Sequence, residues 1–227
     1  MRQRLTIPRG KLASLSVDLQ EEHRQDRRYL VEGYDRVLAN AARLQQAARM
    51  IGASVLHCAY VVDSADGQMR ALHPRMADGT SAFSDKSSPL SALCREVAPR
   101  EGEAVLIKSD ASAFSEGSLA GRLAAGGIEW LCVAGVWTEA CIDATVKDAV
   151  RLGIRVLLVK DACGSATSAM HQTGILNIAN RLYGGAVTDT EGACRLIGGE
   201  TVDIWAVEGS VPFRFSFATA AADYDQL

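Results

Sequence analysis

The stretch "CVAGVWTEACIDATVKDAVRLG", residues 132–153, decides the fold. An apolar run ends at Gly135, and a segment with helical spacing begins a few residues later and closes at Gly153. The run is continuous, not alternating, as in a strand buried on both faces. A strand that passes directly into a helix is half of a βαβ unit, which implies a parallel sheet. Cys141 stands near the turn between the two. A core cysteine needs no such place, whereas a nucleophile does.

Working outward, five more apolar runs lie at 12–18 ("LASLSVD"), 53–60 ("ASVLHCAY"), 104–108 ("AVLIK"), 154–161 ("IRVLLVKD") and 185–189 ("GAVTD"). Between them, Tyr34, Val37, Leu38, Ala41, Leu44, Ala48 and Ile51 recur at helical spacing and end at Gly52. Segments 117–126, 139–152 and 168–183 are the other helix candidates. The expected architecture is α/β in three layers: a mostly parallel, six-stranded, Rossmann-like sheet with helices on both faces. One domain over 1–227 accounts for the pattern. It carries a polar excursion at 61–103, with a short helix near 89–97, as a wall or lid. A C-terminal arm at 211–227 follows, where Phe213, Phe215 and Phe217 alternate as in a strand.

Composition excludes several classes. The 227 residues are 48% hydrophobic and 22% charged, ordinary for a globular chain. A net charge of −3 gives no electrostatic footprint for nucleic acid. No apolar run approaches the roughly 20 residues of a membrane span. "MRQRLTIPRGK" has no apolar core of a signal peptide and is taken as a surface arm. The six cysteines, at 58, 94, 132, 141, 163 and 194, show no zinc-type spacing. Most are expected to be small core residues in a reducing cytoplasm. "VDLQEEH" after the first strand lacks the GxGxxG of a dinucleotide fold.

In open α/β sheets ligands gather at the carboxyl ends of strands. Asp18, Lys108 and Cys141 stand there, after three different strands. Singly, each has a plain explanation: an aspartate caps helices, a lysine is usually solvated, and a cysteine usually packs. Together they suit one pocket. With Thr138 as N-cap, Cys141 falls in the first helical turn, where free amides and the helix dipole favour a thiolate. An ammonium from Lys108 lowers the thiol pKa further, Asp18 serves as proton acceptor and donor, and the same amides can hold an oxyanion.

"LSVDLQ", "IKSDASAF" and "VAGVWTEACIDATVKDA" resemble the three signature blocks of the isochorismatase-like cysteine hydrolases. The resemblance spans about residues 12–190. It implies Asp18 as the proton-transfer base, Lys108 as electrostatic partner and Cys141 as nucleophile. It also implies a cis peptide between Val136 and Trp137, with the backbone N–H groups of Trp137 and Cys141 as oxyanion hole. The implied activity is hydrolysis of a C–N bond in a small amide, carbamoyl or ureido compound through a thioester, without a cofactor. The alternatives are vinyl-ether hydrolysis of the isochorismatase type and a non-catalytic ligand-binding descendant. A homo-oligomer, dimer or tetramer, follows from the same analogy. The partner expected is a small-molecule substrate, with no nucleic acid and no membrane.

Members of that superfamily with a metal resemble one another in an Asp-x-His element with a second histidine nearby. Here Asp63 has no histidine two residues on, and His57 and His73 lie sixteen apart. No metal is expected. The pocket-lining candidates are Gln20, Phe114, Trp137 and His171, with Arg75 in the excursion to meet a substrate carboxylate.

Overall fold

A computed structural model describes residues 1–66, 69–209 and 213–227. The strands are β1 (Arg2–Leu5), β2 (Leu12–Val17), β3 (Ser54–Tyr60), β4 (Ala104–Lys108), β5 (Trp130–Val136), β6 (Arg155–Gly164), β7 (Ala186–Thr188) and β8 (Val202–Trp205). The helices are α1 (Glu22–Gln25), α2 (Tyr34–Met50), α3 (Ser118–Ala125), α4 (Asp143–Arg151), α5 (Ser168–Ala179), α6 (Thr190–Ile197) and α7 (Ala220–Asp225). They build one sheet of order β1-β8-β7-β6-β5-β2-β3-β4, in which β2 to β7 run parallel.

The six expected strands form the parallel core, and at one edge β8 adds antiparallel to β7 and β1 antiparallel to β8. Six strands therefore become eight. The added pair is short: "RQRL" is polar and almost wholly exposed, and "VDIW" is four residues interrupted by an exposed aspartate. Neither has an apolar run, and charge on an edge strand guards against stray pairing. The N-terminal stretch expected to be a surface arm is thus part of the sheet.

Alternation along β5 shows why its sequence is apolar throughout. Leu131 and Val133 face a core shared with Leu123, Val146 and Ile175, on the side of α3, α4 and α5. Trp130, Cys132, Ala134 and Val136 face the opposite core with Leu38, Leu44 and Leu196, on the side of α2 and α6. Both faces of the strand are buried, so period two carries no polar residue. The stripe Tyr34, Val37, Leu38, Ala41, Leu44 and Ala48 is the buried face of α2.

Chain order departs in both directions from the β2–β5 pair: β3 and β4 lie on one side, β6 and β7 on the other. That switch point opens a crevice at the strand ends. The two strands approach so closely that a Cβ on Gly135 would lie 2.0 Å from the Val17 carbonyl oxygen, and Gly135 has φ of +135°. Only glycine fits there.

Three local expectations are corrected. The helix near 89–97 is two 3₁₀ turns, Pro89–Ser91 and Arg95–Val97, separated by an extended stretch. The aromatic tail is not a strand over its described residues: 213–216 are irregular and α7 follows. The Asn180 side chain holds Phe213 by both backbone groups, accepting from its N–H at 2.6 Å and donating to its carbonyl at 2.8 Å. Thr138 is not an N-cap; Trp137 takes that position before a π-helical turn, Thr138–Ile142, that leads into α4. Residues 67–68 of the excursion and 211–212 of the arm lie outside the described residues. Among the described residues no helix is long and apolar enough to cross a membrane.

Candidate active site

Asp18 follows β2 directly, with a left-handed backbone (φ of +53°) and its amide donating to the Cys58 carbonyl at 2.8 Å. Aspartate tolerates that conformation better than most residues. Lys108 is the last residue of β4, its side chain fully buried, and Cys141 sits in the π-helical turn after β5. Topology brings the three together. The Lys108 ammonium lies 2.7 Å from Asp18 Oδ2, 3.2 Å from Cys141 Sγ and 3.0 Å from the Asp110 carbonyl oxygen. The ammonium donates hydrogen bonds to Cys141 Sγ and the Asp110 carbonyl, while Asp18 is held as an ion pair. The Tyr60 ring covers Nζ at 4.4 Å from its centroid.

Electrostatics correct one expectation. Burial pushes the Cys141 thiol up to about 12, and the Asp18 charge adds to this, while Lys108 only partly opposes them. The turn does not hold a resting thiolate; it holds a thiol beside a base. For Lys108, burial works against the charged form, but Asp18 and the two nearby thiols, Cys141 and Cys58, outweigh it and raise the pKa above its ordinary value. Among the described residues neither Asp18 oxygen accepts a well-directed hydrogen bond, so the carboxylate has unused acceptor capacity.

These groups open into a cleft of about 500 Å³ lined by Asp18, Cys141, Trp137, Tyr60, Phe83 and Arg28, among others. Phe83 comes from the excursion and packs against Tyr29 and Tyr60, at 5.7 and 5.4 Å between ring centroids. The Val136–Trp137 peptide is cis. The Trp137 indole N–H donates to His23 Nδ1 at 3.3 Å. His23 is buried, which lowers its pKa, and its Nδ1 also lies 3.3 Å from the Tyr29 carbonyl oxygen. Glu22 is buried beside it and accepts from the Ser84 amide at 2.8 Å and from the Ser84 hydroxyl. Burial raises its pKa above the usual carboxylate range.

Four sequence candidates do not line this cleft. Gln20 is a buried brace: its amide donates to the carbonyls of Tyr60 (2.9 Å) and Ser91 (2.8 Å) and accepts from the Tyr60 N–H. Phe114 packs in the core, and Arg75 is exposed and bridges to Ser81. His171 lies behind the nucleophile turn, against Thr138 and Tyr224. In their place stand Glu22, His23, Arg28, Tyr29, Tyr60 and Phe83. Tyr60 could have been found, because it ends a strand as Lys108 does; Phe83 carries no such signal.

His57 and His73 are far from forming a ligand pair: His57, in β3, bonds Glu103 just before β4, and His73 bonds Ser81 within the excursion. Among the described residues, donors with metal-like spacing are Glu21, Cys94 and Glu96. The Arg24 guanidinium already bonds both carboxylates there, Nε at 2.7 Å from Glu21 and Nη1 at 2.9 Å from Glu96.

With a parallel sheet, a switch-point crevice and a buried Asp–Lys–Cys cluster in place, comparison with known proteins is direct. The chain belongs to the isochorismatase family, a family of hydrolases, whose isochorismatase domain matches residues 13–192. It is 35% identical to the maleamate amidohydrolase of Pseudomonas putida over 156 residues, 65% of this chain and 68% of that one. With the N-carbamoylsarcosine amidase of an Arthrobacter species it shares 26% over 162 residues, 70% of this chain and 61% of the relative. The fold superposes on a cysteine hydrolase from Pseudomonas syringae pv. phaseolicola with a TM-score of 0.75 at 22% identity, covering 86% of this chain and 95% of that structure.

Proposed function

We propose that this chain is a cysteine amidohydrolase that cleaves the C–N bond of a small carboxamide, carbamoyl or ureido compound through a thioester. The observation that carries the reading is the Cys141 thiol 3.2 Å from the Lys108 ammonium, itself 2.7 Å from Asp18, at the floor of a cleft. Relatives named for maleamate, N-carbamoylsarcosine and ureidoacrylate support the substrate class.

In the first half-reaction the thiol proton passes to Asp18 as sulfur attacks the carbonyl carbon. The cluster keeps its total charge, because Asp18 is neutralised as the thiolate forms and Lys108 stays protonated. A thiol held at about 12 is therefore no obstacle, since a free thiolate never accumulates. The developing oxyanion is held by the backbone N–H groups of Trp137 and Cys141. Asp18 returns the proton to the leaving nitrogen, which departs as ammonia or an amine, and the acyl group remains on sulfur. Asp18 then takes a proton from water, the hydroxide attacks the thioester, and the carboxylic or carbamic acid leaves as the thiol is re-protonated. Arg28, at the cleft wall, takes the role foreseen for Arg75 as partner of a substrate carboxylate.

The test is ammonia release from maleamate, N-carbamoylsarcosine and ureidoacrylate, with wild type and Cys141→Ser side by side. Turnover of at least one compound, lost in the variant, is expected. No ammonia from any of them, or ammonia that survives the substitution, overturns the reading.

A further inference from the structure

We propose that Tyr224, acting through His171 and Thr138, is a positioning residue for the turn that carries Cys141. The inference rests on Cys141 being the nucleophile and brings in a segment that lies beyond residues 13–192, the stretch matched by the family's domain.

The hydrogen bonds form a chain with a single direction. Thr138 donates its one hydroxyl proton to the Gly164 carbonyl at 3.0 Å. Its contact with His171 Nδ1 at 2.8 Å then requires a proton on that nitrogen. That leaves Nε2 as the acceptor, and the Tyr224 hydroxyl donates to it at 3.1 Å. Tyr224 thus selects the tautomer in which His171 holds Thr138 while Thr138 holds Gly164. Without the phenol, the proton is free to move to Nε2. Thr138 must then choose between two acceptors, and one bond at the base of the turn is lost. Burial pushes the imidazole down to about 4 although the Lys160 backbone, which also faces the ring, favours its charged form, so the ring is neutral at ordinary pH.

Packing gives the same elements no slack. Gly174, one turn further along α5, approaches the turn so closely that a Cβ would lie 2.9 Å from Thr138 Cγ2 and 3.4 Å from the Glu139 nitrogen. Tyr224 is fixed in its turn by Lys160 of β6, whose ammonium lies 4.6 Å from the ring centroid and donates to the Tyr224 carbonyl at 2.9 Å. The chain's last residue, Leu227, is buried in the core beside it. The C-terminal helix therefore clamps α5 against the nucleophile turn from behind, and the cleft in front never touches it.

Alkylation of Cys141 by iodoacetamide, followed by peptide mapping at one fixed alkaline pH, reports on the turn whether or not any amide is hydrolysed. Relative to wild type, the rate constant is expected to fall about threefold in Tyr224→Phe and about tenfold in His171→Ala, as small displacements of a reacting group do. Asparagine places an amide N–H where Nδ1–H stood, so His171→Asn is expected to recover to within about twofold of wild type. Melting temperatures of Tyr224→Phe and His171→Asn should stay within a few degrees of wild type. A wild-type rate in Tyr224→Phe or in His171→Ala, or a fall in His171→Asn as deep as in His171→Ala, overturns the proposal. Failure of the nucleophile assignment shows separately, as ammonia release that survives Cys141→Ser.

Discussion

Two charge clusters, one partly buried and one fully buried, lie near opposite ends of the same strand. At the start of β4, Glu103 meets Arg49 through two hydrogen bonds of 2.6 and 2.8 Å and also accepts from the Arg100 amide and faces His57 Nε2, both at 2.9 Å. At its end, Lys108 meets Asp18 and Cys141. Glu103 is saturated: each oxygen has a partner, and its pKa falls to about 2, chiefly through Arg49. Asp18 has one cation and no well-directed hydrogen bond among the described residues, and the neighbouring thiol keeps its proton. The same kind of ion pair is structural where its valences are filled and reactive where they are not.

The sharpest way to break the comparison is at the sulfur. Cys141→Ser should lower ammonia release by about 10³-fold or more, because a hydroxyl beside the same base is a far poorer nucleophile. Circular dichroism and melting should be unchanged. Glu103→Gln is the counterpart. It should cost about 2 kcal/mol of stability in denaturant titrations at neutral pH and leave kcat within twofold of wild type, since it breaks a partly buried pair far from the cleft. The pH dependence follows from the same group. Its folded pKa is about 2 against 4.5 for the ordinary side chain. Its stabilising contribution is thus complete above about pH 4.5 and is lost as pH falls toward 2. Wild type should lose stability over that window, and Glu103→Gln should lose less.

A smaller effect separates the clusters in the opposite sense. Removing both charges with Asp18→Asn and Lys108→Met together should be neutral or stabilise the fold by about 1 kcal/mol, while abolishing turnover. A large loss of stability in that double variant would mean that the site holds the fold together as the Glu103 cluster does. The finest test is the pH profile of Cys141 alkylation. Asp18→Asn should move the midpoint down, because the carboxylate raises the thiol pKa, and Lys108→Met should move it up, because the ammonium lowers it. Shifts of the same sign in both variants would remove the electrostatic account.

Local sequence reached some of these features and not others. Most of the six core strands were legible because burial on both faces leaves a nearly continuous apolar run, as in β5, whereas β4 is an apolar edge strand with Val105 and Ile107 exposed. Strands β1 and β8 were not, because their pairing supplies what their four-residue sequences lack. Gln20 and His171 were polar residues near the right loops, and which way such side chains turn is set by partners forty or more residues away, Tyr60 for one and Tyr224 for the other.

What the sequence determined by itself was the parallel core and the residue types at its strand ends: an aspartate after β2, a lysine closing β4, and a thiol just past β5. What only the tertiary structure decided was their convergence and their protonation. Strand order β5-β2-β3-β4 puts residues 18, 108 and 141 within hydrogen-bond reach. Burial then reverses the expectation for the thiol, because removing water costs the charged form more than one neighbouring ammonium returns. Spacing along a chain records neither distance in space nor the absence of water, and the chemistry of this cleft depends on both.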